Sequence, residues 1–123
     1  MQRHAETLGN AFWHKLTGLK LDVWFGPRVF SPEVAEYFLS YQGEYGDNWD
    51  AVFIPVLRAM AAGERIASVP CNYVHAETQK DIEEGTLEYL KKRLTQLSSL
   101  TSAIEIEWMR LKDAYASTRK ARA

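Results

Sequence analysis

A stripe of apolar positions near the C-terminus is the longest regular pattern in this sequence. Between residues 87 and 115 these positions follow one another at alternating steps of three and four residues. The stripe consists of Leu87, Leu90, Leu94, Leu97, Thr101, Ile104, Trp108, Leu111 and Tyr115. A heptad repeat of this length is typical of a helix that packs lengthwise on another helix. We therefore predict a long, coiled-coil-like C-terminal helix.

The side chains in the stripe indicate what kind of partner it packs against. Thr101 makes a weak, half-polar layer, and Trp108 and Tyr115 are too large for the tight core of a symmetric parallel dimer. An unequal partner fits better, either the N-terminal half of this chain or another chain. We favour another chain, with Trp108 as the anchor. The predicted interface comprises Leu87, Leu90, Leu94, Leu97, Ile104, Trp108, Leu111 and Tyr115.

The length of this helix bears on its role. A continuous helix over residues 76–119 would be about 65 Å long, whereas a compact domain of this size has a radius of gyration of about 14 Å. Such a helix would protrude as an arm. The alternative is a helical hairpin broken at "LSSLTSAIE", where Ser102 and Glu105 have the spacing of a capping box. Because no Gly or Pro marks a turn and the register is unbroken, a continuous or bent helix is favoured.

Shorter elements precede the long helix. Leu8, Phe12 and Leu16 recur at helical spacing, and Gly18 is expected to end that helix. Residues 19–25 alternate between apolar and polar types, which indicates an extended segment laid over a core.

Two further helices are predicted in the middle of the chain. The first begins at "SPE", where Ser31 caps the helix and Pro32 occupies its first position; glycines at 43 and 46 would end it. The second, "NWDAVFIPVLRAMAAGE", is apolar nearly all round except for Asp50 and Arg58, so it should be buried. Pro55 either kinks this helix or begins it.

These elements define the predicted architecture. The fold is all-α, with a small helical head over residues 1–74 that includes two to three short helices and an extended N-terminal segment. The long C-terminal helix occupies residues 75–123 and belongs to the same single domain, as the length of 123 residues suggests.

Composition narrows the classes of function. The net charge of −1 attracts neither nucleic acid nor an anionic membrane, and we predict no nucleic-acid partner. The single Cys71 excludes an internal disulfide framework and suggests a reducing, intracellular compartment. No apolar run is long enough to span a bilayer, which leaves only peripheral membrane contact open.

The N-terminal 32 residues are basic and poor in acids, which is the composition of a mitochondrial targeting segment. The basic residues are Arg3, Lys15, Lys20 and Arg28, and the acids are Glu6 and Asp22. The alternative is that this excess of basic over acidic residues arises by chance in a window of only 32 residues.

The sequence contains few candidates for a catalytic or metal-binding site. Cys71 and His75 are four residues apart, but a structural zinc site needs four ligands. The acids of "DIEE" at residues 81–84, together with Glu105 and Glu107, are expected on solvated helix faces beside lysines. We therefore predict no catalytic, cofactor-binding or metal-ligating residues, and no cofactor.

The leading hypothesis for function is a non-enzymatic accessory subunit of a large multiprotein assembly, which docks on other protein subunits through its C-terminal helix. A mitochondrial membrane complex, respiratory or ATP synthase, is its most specific version. The alternative is a free-standing helical binding module, monomeric or homodimeric, with a ligand groove formed by the helices of residues 31–62. A small metal-dependent enzyme using Cys71 and His75 is a third and weaker alternative.

Overall fold

The computed structural model describes residues 2–24, 28–46, 49–70 and 86–122. Within these ranges the chain forms four α-helices and no β-strand, which confirms the all-α prediction. The helices are α1 (Gln2–Thr17), α2 (Pro32–Leu39), α3 (Asp50–Ala61) and α4 (Leu87–Arg122). The predicted loop with Cys71 and His75, and the stretch 75–85 assigned to the long helix, lie outside the described residues.

Helix α1 ends where the sequence predicts. Gly18 has φ +80°, a left-handed conformation that favours glycine, and its N–H donates to the carbonyl of His14 at 2.8 Å. The buried face of α1, however, contains Trp13 and Thr17, whereas Leu8 is 60% exposed. The apolar spacing that predicts the helix therefore does not identify its innermost residue, which is Trp13.

The segment after α1 has no regular secondary structure and covers part of the core, as its alternating pattern predicts. Val23 is buried, and its N–H donates to Asn10 Oδ1 on α1 at 2.9 Å. The indole of Trp24 lies so close to Gly9 that a Cβ at that position would overlap the ring. A small residue on α1 is therefore needed where this segment crosses it.

Helix α2 begins with the predicted cap, since Ser31 Oγ accepts a hydrogen bond from the Val34 N–H at 3.3 Å. It ends at Leu39, four residues before the glycine that was expected to end it. None of its residues is fully buried. Phe38 stacks on Phe30 with ring centroids 4.8 Å apart.

Helix α3 is the buried helix that its all-round apolar sequence predicts. Pro55 lies inside the helix and does not begin it. Its buried residues are Asp50, Phe53, Ile54, Pro55, Val56, Leu57, Ala59, Met60 and Ala61. The helix packs chiefly on α4 and, to a smaller extent, on α2.

Helix α4 is continuous over its 36 residues, which excludes a hairpin within residues 87–122. At about 1.5 Å per residue it spans about 54 Å. Ser102 and Glu105, the candidate capping pair, both lie in its interior. Thr86 Oγ1 accepts from the Tyr89 N–H at 3.1 Å and caps the start of the helix.

Helices α1, α3 and α4 and the segment after α1 share one hydrophobic core, and Phe38 of α2 packs against it. Helix α4 contributes the residues around its middle to this core, and both α3 and α1 pack against it. The core residues are Trp13, Val23, Phe53, Ile54, Val56, Leu57, Met60, Leu100, Ala103, Ile104 and Trp108.

The heptad stripe of α4 does not stay on the core side along its whole length. Leu87 and Leu94 are 67% and 69% exposed, whereas Ile104 and Trp108 are buried. A seven-residue repeat on a straight α-helix drifts by about 20° per heptad, or about 80° over four heptads. The stripe therefore starts beside the core and turns into it only in the second half of the helix.

Candidate functional site

A groove between α1 and α4 lies open beside the core. It encloses about 510 Å³ and is lined mostly by apolar atoms. The groove is lined by Leu8, Ala11, Phe12, Lys15, Leu94, Leu97, Ser98 and Thr101. Its two exposed leucines, Leu8 and Leu94, lie on opposite walls. A long side chain or a helix could lie along such a groove.

The structure divides the predicted interface into a covered half and an accessible half. Ile104 and Trp108 are buried, and Leu111 and Tyr115 pack against the core. Leu90 and Leu97 are half-buried, and Leu87 and Leu94 are exposed. The eight residues are therefore not one accessible surface.

Trp108 does not have the placement expected of an anchor for another chain. Only 6% of its surface is exposed, and its ring packs against Tyr115 with centroids 5.1 Å apart. The drift of the stripe turns this residue into the chain's own core.

Glu107 is a buried charged residue of α4. It was expected on a solvated face, yet its side chain is only 2% exposed. Arg58 Nε on α3 donates to Oε1 at 2.7 Å, and the Tyr45 hydroxyl donates to Oε2 at 2.6 Å. Arg110 Nη1 lies 3.5 Å from Oε2. The carboxylate is buried because α3 and the loop before it supply donors for both oxygens.

The charge state of Glu107 follows from these contacts. Burial alone would raise the pKa of its carboxyl, but hydrogen bonds from Arg58 and Tyr45 and the charges of Arg58 and Arg110 outweigh that effect. The pKa of Glu107 is therefore held below its usual value, so the group stays ionised at neutral pH. Burial and the bond to Glu107 raise the pKa of the Tyr45 hydroxyl.

The cluster extends from Glu107 towards the start of α3. Arg58 Nη1 also contacts Glu44 Oε1 at 3.2 Å, and its guanidinium lies 5.2 Å from the centre of the Tyr41 ring. The Tyr41 hydroxyl in turn donates to the buried Asp50 carboxylate. Burial and this bond raise the pKa of Tyr41.

A signal for this cluster is present in the sequence. Helix α3 is apolar nearly all round, so each of its two charges needs a partner in the core. The partners are Tyr41 for Asp50 and Glu107 for Arg58. Both oxygens of Glu107 accept hydrogen bonds from donors of this chain, so these contacts tie α4 to α3 and to the loop before it.

Ile106 and Met109 form a second apolar area on α4, outside the groove. They are 54% and 55% exposed and lie off the packed side of the helix. Two exposed residues of this kind are common on protein surfaces, and by themselves they do not define a site.

The described ranges contain no arrangement typical of a metal site or of a membrane span. There, no group of three or more His, Cys, Asp and Glu side chains is arranged to hold a metal ion. The candidate ligands Cys71 and His75 fall outside those ranges. None of the described helices has the length and apolarity needed to cross a bilayer.

Comparisons with known proteins add no assignment. No protein-family model, curated protein or solved structure matches this chain. The groove and the helix faces beside it are therefore the features of this chain from which a function can be inferred.

Proposed function

We propose that the chain is a non-enzymatic structural subunit of a multiprotein assembly and that its partner docks on the groove between α1 and α4. The observation that carries the proposal is the pair of exposed leucines, Leu8 and Leu94, on the two walls of one apolar groove. Leu87 extends the same side of α4 towards its start and is equally exposed.

Energetics favour a partner over permanent exposure to water. Covering a leucine side chain that is otherwise exposed contributes about 1.5–3 kcal/mol. Isolated surface leucines are ordinary, but clustered ones beside a groove are typical of interaction surfaces.

The rest of the molecule holds this surface in place. The core fixes α4 through Leu100 and Ile104, and the ion pair between Glu107 and Arg58 ties it to α3. A rigid surface loses little conformational entropy on binding. Such an arrangement suits a docking element better than a catalytic one.

A mitochondrial location stays a prediction from the basic N-terminal residues. Helix α1 contributes the fully buried Trp13 to the core. In a mitochondrial assembly α1 would therefore have to remain attached to the chain. The alternative ligand groove formed by residues 31–62 is not proposed, because the apolar surface of α3 is already used for the core.

The proposal predicts that Leu94→Glu releases the protein from its assembly. The tagged full-length chain would be expressed in the cells that normally produce it, and the extract would be separated by size under native conditions. Wild type should elute in a discrete peak far above the 14.1 kDa of the chain. The variant should elute near the mass of the free chain, because a carboxylate cannot be buried in an apolar contact without a partner.

Thr95→Glu is the matched control, since it adds the same charge at the next residue, which is exposed and is not part of the groove. It should elute with wild type. A wild-type chain that elutes only as a monomer or dimer would refute the subunit proposal. Co-elution of Leu94→Glu with wild type would refute the groove as its docking site.

A further inference from the structure

The exposed side of α4 carries a second regular pattern, which shares Leu87 and Leu94 with the heptad stripe but does not enter the core. Its residues follow one another at steps of four, three, four, four, three and four, so they lie along one face of the helix. They are Leu87, Lys91, Leu94, Ser98, Ser102, Glu105 and Met109. All seven are exposed. These seven residues form the outer face of α4.

The outer face is arranged symmetrically about Ser98. Leu94 and Ser102 lie four residues to either side of it, and Lys91 and Glu105 lie seven residues to either side. Leu87 and Met109 lie eleven residues away in the two directions. When two copies of a helix pair antiparallel about a twofold axis, residues at equal distances on opposite sides of the axis face each other.

Each residue of the outer face meets a complementary residue under this symmetry. Lys91 faces Glu105 of the other copy at both ends of the contact, which gives two ion pairs. Leu87 faces Met109, an apolar pair, and it also occurs twice. In a parallel pair Lys91 would face Lys91 and Glu105 would face Glu105, which charge repulsion disfavours.

The residues near the axis permit close approach. Ser98 lies at the axis and Ser102 faces Leu94, so each leucine meets a small side chain. The contact from Leu87 to Met109 would be about 33 Å long. Trp108, whose bulk argues against a symmetric pair of helices, is buried and does not belong to this face.

Lys91 and Glu105 are available for such contacts. Neither takes part in a salt bridge within the described part of the chain, where the ion pairs involve Arg58, Arg110, Glu44 and Glu107. Among the described residues, therefore, no ion pair neutralises either of these two charges.

From this complementarity we infer that a second copy of this chain docks antiparallel on the outer face of α4, centred on Ser98. The inference rests on the proposed function and deepens it: the second copy is the partner that covers Leu94 on the α4 wall of the groove, and the dimer so formed is the unit that joins the larger assembly. Leu8 on α1 would border the contact and add apolar surface to it. The resulting unit is a homodimer with two α4 helices side by side.

Charge reversal tests both the dimer and its register. Lys91→Glu and Glu105→Lys each place like charges opposite one another at both ends of the homodimer, so each should weaken dimerisation at least about tenfold. Mixing the two variants creates a heterodimer in which both pairs are again opposite in charge. Sedimentation velocity over a concentration series would measure the purified full-length proteins, with circular dichroism to verify their helix content.

The expected result is a wild-type dimer, weakened dimers for the two variants alone, and recovery of the dimer on mixing. Lys20→Glu is the control, since it changes the net charge equally at an exposed residue outside α4. A strictly monomeric wild type would overturn the inference, and so would mixing that restores nothing. Both of those results leave the cell-extract test of the subunit proposal standing, so the two failures are distinguishable.

Discussion

Trp108→Ala should lower the free energy of unfolding of the isolated chain by about 3–5 kcal/mol. The indole is 6% exposed and belongs to the core that α4 shares with α3 and α1. Its removal loses the transfer free energy of a large aromatic side chain and leaves a cavity. The melting temperature should fall by on the order of 10–20 °C. Chemical denaturation followed by circular dichroism measures the loss directly.

Trp49→Ala is the matched control for this prediction. The same side chain is 42% exposed at that position, where Lys92 Nζ lies 5.6 Å from the centre of its ring. Loss of this exposed contact should cost about 0.5–1 kcal/mol. Equal and small effects of the two substitutions would show that Trp108 is not a core residue.

Glu107→Leu should lower the free energy of unfolding by about 2–4 kcal/mol, because it removes one partner of a buried ion pair and leaves the Arg58 charge without its closest carboxylate. The effect stays below that of a fully buried charge, since the Arg58 side chain is 26% exposed and keeps part of its hydration. The unpaired Tyr45 hydroxyl adds to the loss.

Two comparisons sharpen the Glu107 prediction. Glu105→Leu, two residues away on an exposed position, should change stability by less than about 0.5 kcal/mol in dilute protein. The stability that a lowered carboxyl pKa provides is present above the ordinary value of 4.5 and is lost as the pH falls through the folded-state pKa. The difference between wild type and Glu107→Leu should therefore shrink below about pH 4.5. An equal cost for the two glutamates would refute the buried pair.

Much of the fold could be predicted because the relevant signals are local. Ser31 and Pro32 mark the start of α2, and Gly18 marks the end of α1. The all-round apolar sequence of α3 predicts its burial, and the unbroken register around Ser102 predicts a continuous α4. Each of these features depends on residues that are neighbours along the chain.

The site could be predicted only in part, because it depends on which elements face each other. Positions 105 and 107 carry the same residue type, so the sequence does not show which glutamate is buried. Only the position of Arg58 across the interface between α3 and α4 distinguishes Glu107 from Glu105. The heptad stripe predicts an interface, but its drift on a straight helix decides that Leu94 is exposed and Trp108 is buried. Trp13 was missed because α1 carries apolar residues on more than one side.

The central claim is that α4 combines a core-forming stretch with an exposed stretch that a partner covers. Hydrogen exchange along α4, measured in the isolated monomer at low concentration and again in the assembled protein, tests it most directly. Amides of residues 103–111 should be strongly protected in both states, because Ile104, Glu107 and Trp108 are buried within the chain. Amides of residues 87–95 should exchange fast in the monomer and become protected on assembly. Protection of residues 87–95 that is equal in the two states would contradict the claim.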